Sequence, residues 1–210
     1  MQKVLYILSQ TLSIILHPLF MPTYGMILYM MVMQNRLSNL PSLYIWLSII
    51  GTSILTAIIP ISLIFILLKK GQIDSLHIEN SKQRTTPYIY TLICFGFWCY
   101  FLRVTMHLPH IWLIIAIGAT IALAIVMLIN HWWKISAHLT GMGGLLGGIC
   151  SMALFYTMLP SALIISVLII SLLLMYARLY TNAHTPMQVV SGYLLGILCT
   201  FIPNLIIYYA

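Results

Sequence analysis

An arginine and a histidine stand between two apolar runs near the end of this chain. Arg178 and His184 are separated by five residues, and Gln188 follows at the start of the last apolar run. Ionisable side chains at the edge of hydrocarbon are costly, and they mark functional sites by default. Arginine presents a planar fork of donors that fits phosphate oxygens, and imidazole is a nucleophile or an acid. The pair predicts chemistry on phosphate at a membrane surface.

Two earlier segments carry the same residue types. Ser136 and His138 precede one apolar run, and Lys82 and Arg84 precede another. Phosphoryl transfer needs a nucleophile on one side of phosphorus, an acid for the leaving oxygen on the other, and cations at the remaining oxygens. Two histidines and two arginines meet that requirement.

The composition places these residues in a membrane. Apolar residues make up 62% of the 210 residues and charged residues 5%, whereas a soluble domain has about 25% charged residues. We therefore predict an all-α fold, a polytopic transmembrane helix bundle forming one domain over residues 1–210. The net charge of +7 is spread over several loops, so nucleic acid is not an expected partner.

The chain is poor in metal ligands. Asp74 and Glu79 are its only carboxylates, and its four cysteines lie singly within apolar runs. A two-metal hydrolase needs several carboxylate or histidine ligands. Hydrolysis by this chain is therefore predicted to use histidine and arginine, with no metal and no cofactor.

The apolar runs predict six or seven spans of roughly 20 residues each. The first run, 4–33, contains His17 and Pro18, so it is either one kinked helix or an interfacial helix followed by a span. The polar segments 69–87, 131–138 and 178–185 are each separated by two spans. All three are therefore predicted on the same side of the bilayer.

Glycines predict which helices pack together. Four lie at 143, 144, 147 and 148, and two at 192 and 196. Small residues at this spacing let helix backbones approach closely in lipid. Packing of these two helices would place His138 and His184 side by side at helix N-termini, where the dipole and free N–H groups favour an anion.

These segments resemble the motifs of the type 2 phosphatidic acid phosphatase superfamily, which are K-x6-R-P, P-S-G-H and S-R-x5-H-x3-D. Arg178 and His184 reproduce the third spacing, with Ala177 replacing the serine. Ile135-Ser136-Ala137-His138 is similar to the second motif. Arg84 is the arginine of the first, with Lys82 as a substitute for its lysine. The resemblance covers about 69–196 and leaves 1–42 outside.

The resemblance implies a role for each position. His184 would attack phosphorus and form a phosphohistidine, and His138 would protonate the leaving alcohol. Arg178, Arg84 and Ser136 would hold the phosphate oxygens. The implied substrate is a lipid phosphate or a polyprenyl pyrophosphate, and the implied location is a bacterial cytoplasmic membrane.

Gln188 departs from the family pattern, because it occupies the position of an aspartate that would orient the nucleophile. Its side-chain carbonyl can accept the imidazole N–H but adds no charge. Gln188 also completes a capping box with Thr185, so an orienting role and a capping role are both open. The alternative function is a catalytically impaired relative that binds or translocates lipid phosphates.

Simpler interpretations stay open for single residues. Arg178 and His184 can reach lipid headgroups as interfacial side chains, and Lys134 can anchor the chain there. Ser136 can cap a helix, and Lys82 and Arg84 can be loop charges. The positive-inside rule favours a cytoplasmic polar side, whereas the family resemblance favours the outer face for bacterial proteins. The oligomeric state is not readable from the sequence.

Overall fold

The computed structural model describes residues 2–36, 40–74, 81–155 and 161–210, excluding the side chains of 35, 36, 81 and 82. All regular structure in these ranges is helical, which confirms the predicted all-α class. Seven described segments are long and apolar enough to cross a membrane: Gln2–Gln34, Ser42–Lys69, Gln83–Thr105, His110–Ile129, Ala137–Phe155, Ser161–Tyr180 and Pro186–Tyr209.

The described helices follow the apolar runs. They are α1 (Gln2–Ile15), α2 (Met21–Arg36), α3 (Ser42–Ser53), α4 (Ile59–Lys69), α5 (Ser81–Tyr100), α6 (His110–Ile129), α7 (Ala137–Phe155), α8 (Ser161–Tyr180) and α9 (Pro186–Tyr209). A π-helical turn, Ile54–Ile58, joins α3 and α4 into one span. Pro186 begins α9, where its missing N–H costs no helical hydrogen bond.

The first apolar run is broken between α1 and α2. A 3-10 turn, Pro18–Phe20, follows His17, whose Nδ1 accepts the turn's backbone N–H. The Tyr180 hydroxyl donates to the Gln2 carbonyl at 3.3 Å, and His138 Nε2 donates to the Ser13 carbonyl at 3.1 Å. Both ends of α1 are therefore held beside the polar links, which agrees with an interfacial helix followed by a span.

The predicted packing of the glycine-bearing helices is present between α7 and α9. A Cβ on Gly143 would collide with the Tyr193 carbonyl, and one on Gly196 would collide with the Thr140 carbonyl. The Thr200 hydroxyl also donates to the Gly144 carbonyl at 3.0 Å. Close backbone contact and interhelical hydrogen bonds are the usual means of association in lipid.

The links before α5, α7 and α9 are separated from one another by two spans each. The described starts of α5, α7 and α9 lie at one face of the bundle, which we call the polar face. There Arg84 donates to Asn130 at the end of α6, and the Ser136 N–H donates to the Gln188 carbonyl.

At this face α8 ends in a tight turn, because Asn182 adopts a left-handed conformation with φ of 53°, which asparagine tolerates. Ala183 N–H donates to the Arg178 carbonyl at 3.2 Å, so the turn brings the arginine towards His184.

Candidate functional site

A cavity of about 1060 Å³ extends from the polar face into the bundle. Its basic and histidine lining residues come from four separate segments of the chain: His17, Arg84, Lys134, His138, Arg178 and His184. No described carboxylate lines it. Asp74 lies outside the cavity on an exposed turn, where it accepts from Gln83 Nε2 at 2.9 Å. The lining thus carries three cations, Arg84, Lys134 and Arg178, and positive charge at a cavity wall favours an anionic ligand.

The hydrogen bonds of His184 determine its tautomer. Nδ1 lies 3.2 Å from Gln188 Oε1 and 3.3 Å from the Lys134 carbonyl oxygen. The backbone N–H of Thr185 donates to the same Gln188 oxygen at 3.1 Å, which identifies that atom as the amide oxygen. Because both neighbours of Nδ1 are acceptors, Nδ1 carries the proton. The Nε2 lone pair of the neutral ring is then available for attack.

The environment of His184 keeps its imidazole neutral. Burial, together with the nearby Arg178 guanidinium, lowers the pKa of His184 from 6.5 to about 4. Burial disfavours the charged form of histidine, and a neighbouring cation does the same. A neutral imidazole at physiological pH is the form needed for a nucleophile.

Arg178 lies in the last turn of α8 and lines the cavity. Its Nε is buried and has no hydrogen-bond partner among the described residues. A buried donor without a partner costs about 1–3 kcal/mol, and more when the group is charged. A phosphate oxygen bound in the cavity would supply that partner.

His138 is the second residue of α7, and it contacts two residues of the N-terminal segment, Ser13 and His17. Its Nε2 donates to the Ser13 carbonyl, as described above, and its ring stands edge-on to His17 with 5.3 Å between ring centroids. Arg178 and His184 are within electrostatic range of it. The structure therefore groups three histidines and one arginine around the same part of the cavity.

Arg84 is held at the cavity by a buried polar group that the sequence analysis did not identify. Asn130 is 5% exposed, and its Oδ1 accepts from Arg84 Nη1 at 3.3 Å. Asn130 Nδ2 donates to the Tyr88 hydroxyl at 3.2 Å and to the Val126 carbonyl at 2.9 Å. The amide thus links α5 to the end of α6 and orients the guanidinium.

One predicted site residue is placed away from the cavity. Ser136 is fully buried between α7 and α9, outside the cavity lining, and its hydroxyl has no partner among the described residues. This hydroxyl therefore does not cap α7. Gln188 does not line the cavity either, but its Oε1 contacts His184 Nδ1. The side chain of Lys82 lies outside the described part of the chain.

The described residues offer no group of three or more histidine, cysteine or carboxylate side chains arranged to hold a metal ion. Neither a protein-family model, nor a curated protein, nor a solved structure matches this chain. The function is therefore inferred from the geometry of the cavity.

His17, Lys134 and Asn130 line the cavity, although none of them belongs to the motifs that predicted the site. Lys134 had a signal, since it lies in the same short link as His138. His17 and Asn130 had none, because nothing in the spacing connects them to the motifs.

Proposed function

We propose that this protein is an integral-membrane phosphatase that hydrolyses a lipid phosphate or pyrophosphate through His184, without a metal ion, in a bacterial cytoplasmic membrane. The observation that carries the proposal is the pairing of a neutral His184 with the buried, unsatisfied Nε of Arg178 in one cavity. The nucleophile and the anion-binding donor then line the same cavity, and Arg84 and Lys134 add positive charge to that lining.

The residues present support a two-step transfer. His184 Nε2 attacks phosphorus, and the bond between phosphorus and the lipid oxygen breaks. That oxygen takes a proton from His138 and leaves as an alcohol, or as a phosphate monoester when the substrate is a pyrophosphate. Water then gives a proton to His138 and attacks the phosphohistidine, which releases inorganic phosphate and restores both histidines. Arg178 and Arg84 stabilise the charge on the other phosphate oxygens throughout.

Gln188 assists through the tautomer of His184. As the ring becomes positively charged on attack, the amide oxygen continues to accept the Nδ1 proton, at 3.2 Å. The amide contributes a dipole where a carboxylate would contribute a full charge, so stabilisation of the charged ring is weaker. A slower first step is the expected consequence.

Phosphate release from detergent-purified protein tests the proposal. A panel of lipid phosphates and a polyprenyl pyrophosphate would be incubated with EDTA, comparing wild type with His184→Ala. His131→Ala is the matched control, because His131 is exposed in the link before α7 and does not line the cavity. Release is expected from wild type and His131→Ala only. Release that persists in His184→Ala, or that disappears with EDTA, would contradict the proposed chemistry.

A second candidate function is binding or translocation of lipid phosphates without hydrolysis. The observation in its favour is the engagement of His138 Nε2 with the Ser13 carbonyl, which occupies the N–H that a leaving-group acid would use. Vanadate, which imitates pentacoordinate phosphorus, separates the two functions. Vanadate binding that depends on both His138 and His184 favours the phosphatase, whereas lipid-phosphate binding without phosphate release favours the carrier.

A further inference from the structure

The cavity continues far below the charged residues. Along α5 its lining includes both Arg84 and Trp98, and along α7 both His138 and Met152. Each pair is separated by fourteen positions, which corresponds to about 21 Å of helix. Two independent walls therefore agree on the depth, which is about two thirds of a hydrocarbon core of roughly 30 Å.

The deep part of the cavity has an apolar wall. Its lining residues there include Phe95, Trp98, Trp112, Ile115, Ala119 and Ile149. The volume of about 1060 Å³ lies just above the range of about 300–1,000 Å³ usual for small-molecule sites. A bound phosphate and the cations around it would occupy only the upper end of the cavity. The remaining volume therefore fits an apolar group attached to that phosphate.

Two pairs of glycines on α7 lie on different faces of the helix, and one pair leaves room for the cavity. Gly143 and Gly147 face α9, where an added Cβ would collide with backbone or hydroxyl atoms. Gly144 and Gly148 line the cavity. A Cβ on Gly144 would meet its nearest neighbour, a Thr200 methyl carbon, at 3.7 Å, so this glycine leaves room for a ligand without being required for helix packing.

We propose that the hydrocarbon tail of the substrate binds inside the helix bundle, in this cavity, with its phosphate at the polar face. The depth of the cavity then sets the preferred chain length. This inference rests on the proposed function. The distribution of charge supports it, because the cationic side chains line the upper end of the cavity and the lower walls are apolar. For a tail that enters from water, burial of each methylene stabilises the complex, so a longer tail binds more tightly until it reaches the floor.

Shortening the cavity tests the inference. Gly144→Leu places a side chain in the cavity about 9 Å below His138, at 1.5 Å per residue. Gly96→Leu is the matched control, because Gly96 lies on the exposed side of α5 with no atom within 4 Å of an added Cβ. Ala119→Leu narrows the same cavity from α6 and covers the case in which Gly144→Leu fails to fold.

The measurement is kcat/KM for hexadecyl phosphate relative to hexyl phosphate. With both substrates presented as monomers in water, we expect this ratio to fall at least about tenfold in Gly144→Leu and Ala119→Leu. The added side chains displace methylenes that only the longer tail places at that depth, and each is worth about fourfold in affinity on transfer from water. The ratio should be unchanged in Gly96→Leu. An unchanged ratio in both cavity variants would overturn the internal tail site and place the tail in the surrounding bilayer.

A binding measurement separates this inference from the proposed function. Hexadecylphosphonate, which has no ester bond to hydrolyse, would be titrated into wild type and the same variants by calorimetry. Saturable binding that weakens in Gly144→Leu, with no hydrolysis of any phosphate, would support the tail site and contradict the phosphatase. Hydrolysis of a lipid phosphate, together with equal phosphonate affinity in all variants, would support the phosphatase and contradict the tail site.

Discussion

The Nδ1 atom of His184 lies 3.2 Å from the Oε1 atom of Gln188, one helical turn further along the chain. The same oxygen accepts the Thr185 backbone N–H that closes the capping box of α9. The capping role and the orienting role predicted for Gln188 are therefore compatible, because both use the same side-chain oxygen. A single amide oxygen begins the helix and orients the imidazole.

Replacing that amide by a carboxylate is expected to strengthen the site. Gln188→Glu keeps the length and the capping oxygen, whereas aspartate would be one methylene shorter. The added negative charge favours the protonated ring, so the pKa of His184 rises above about 4. We expect kcat to be maintained or raised and the acid limb of the pH–rate profile to move to higher pH. A fall in kcat with no shift of that limb would contradict the orienting role.

Removing the amide oxygen should damage both functions of Gln188. Gln188→Leu is expected to lower kcat about 10–100-fold, as loss of an orienting partner usually does. It should also lower the free energy of unfolding by about 1 kcal/mol through the lost cap. Steady-state kinetics and thermal unfolding in detergent measure the two effects. A change in stability without a change in kcat would leave Gln188 with a capping role only.

The pKa of His184 is predicted to depend on Arg178. NMR of 15N-labelled histidine, assigned with His184→Gln, should give a value of about 4 in wild type. In Arg178→Gln the pKa should rise towards 6.5, because the nearby cation is removed while burial remains. Equal values in the two proteins would show that Arg178 does not act on this ring.

The same shift predicts how acid affects the fold. The folded-state pKa of His184 is below its unfolded value of 6.5, so the folded protein binds this proton less readily. The associated stability is present above pH 6.5 and is lost as the pH falls towards 4. His184→Gln should therefore lose less stability than wild type over that interval, measured by thermal unfolding at several pH values.

Adjacent glycines on α7 should respond in opposite ways to the same substitution. Gly143→Ala drives a methyl group into the Tyr193 carbonyl, and overpacking of this kind costs about 1–3 kcal/mol. Gly144→Ala meets only ordinary contact distances, and alanine is favoured over glycine in a helix by about 1 kcal/mol. Thermal unfolding should show a lower Tm for the first variant and an equal or higher Tm for the second.

Asn130 is predicted to act on substrate affinity through Arg84. Asn130→Leu removes the acceptor that orients the guanidinium, so KM for the lipid phosphate should rise several-fold while kcat changes less. Tyr88→Phe is the control, because it removes only the hydroxyl that accepts from Asn130 Nδ2 at 3.2 Å. A purely structural role for Asn130 would lower Tm and leave KM of the folded protein unchanged.

Arg84 and Asn130 show why part of the site was not predictable. They are 46 positions apart, and no motif or spacing in either helix predicts that the two side chains make contact. His138 and Ser13 are 125 positions apart, and the apolar first run predicted only a kink or an interfacial helix at that end. Such contacts depend on which helix faces pack together.

The amino-acid sequence determined the properties that depend on local spacing and on transfer from water to lipid. These are the helical membrane bundle, the common side of the three polar links, the α7–α9 packing, and the contact between Gln188 and His184 within one turn. Only the tertiary structure decided that Ser136 is buried away from the cavity, that His17 and Asn130 join it, and that it reaches about 21 Å into the bundle. The physical reason is that periodicity defines a face of each helix but not the neighbour that covers it.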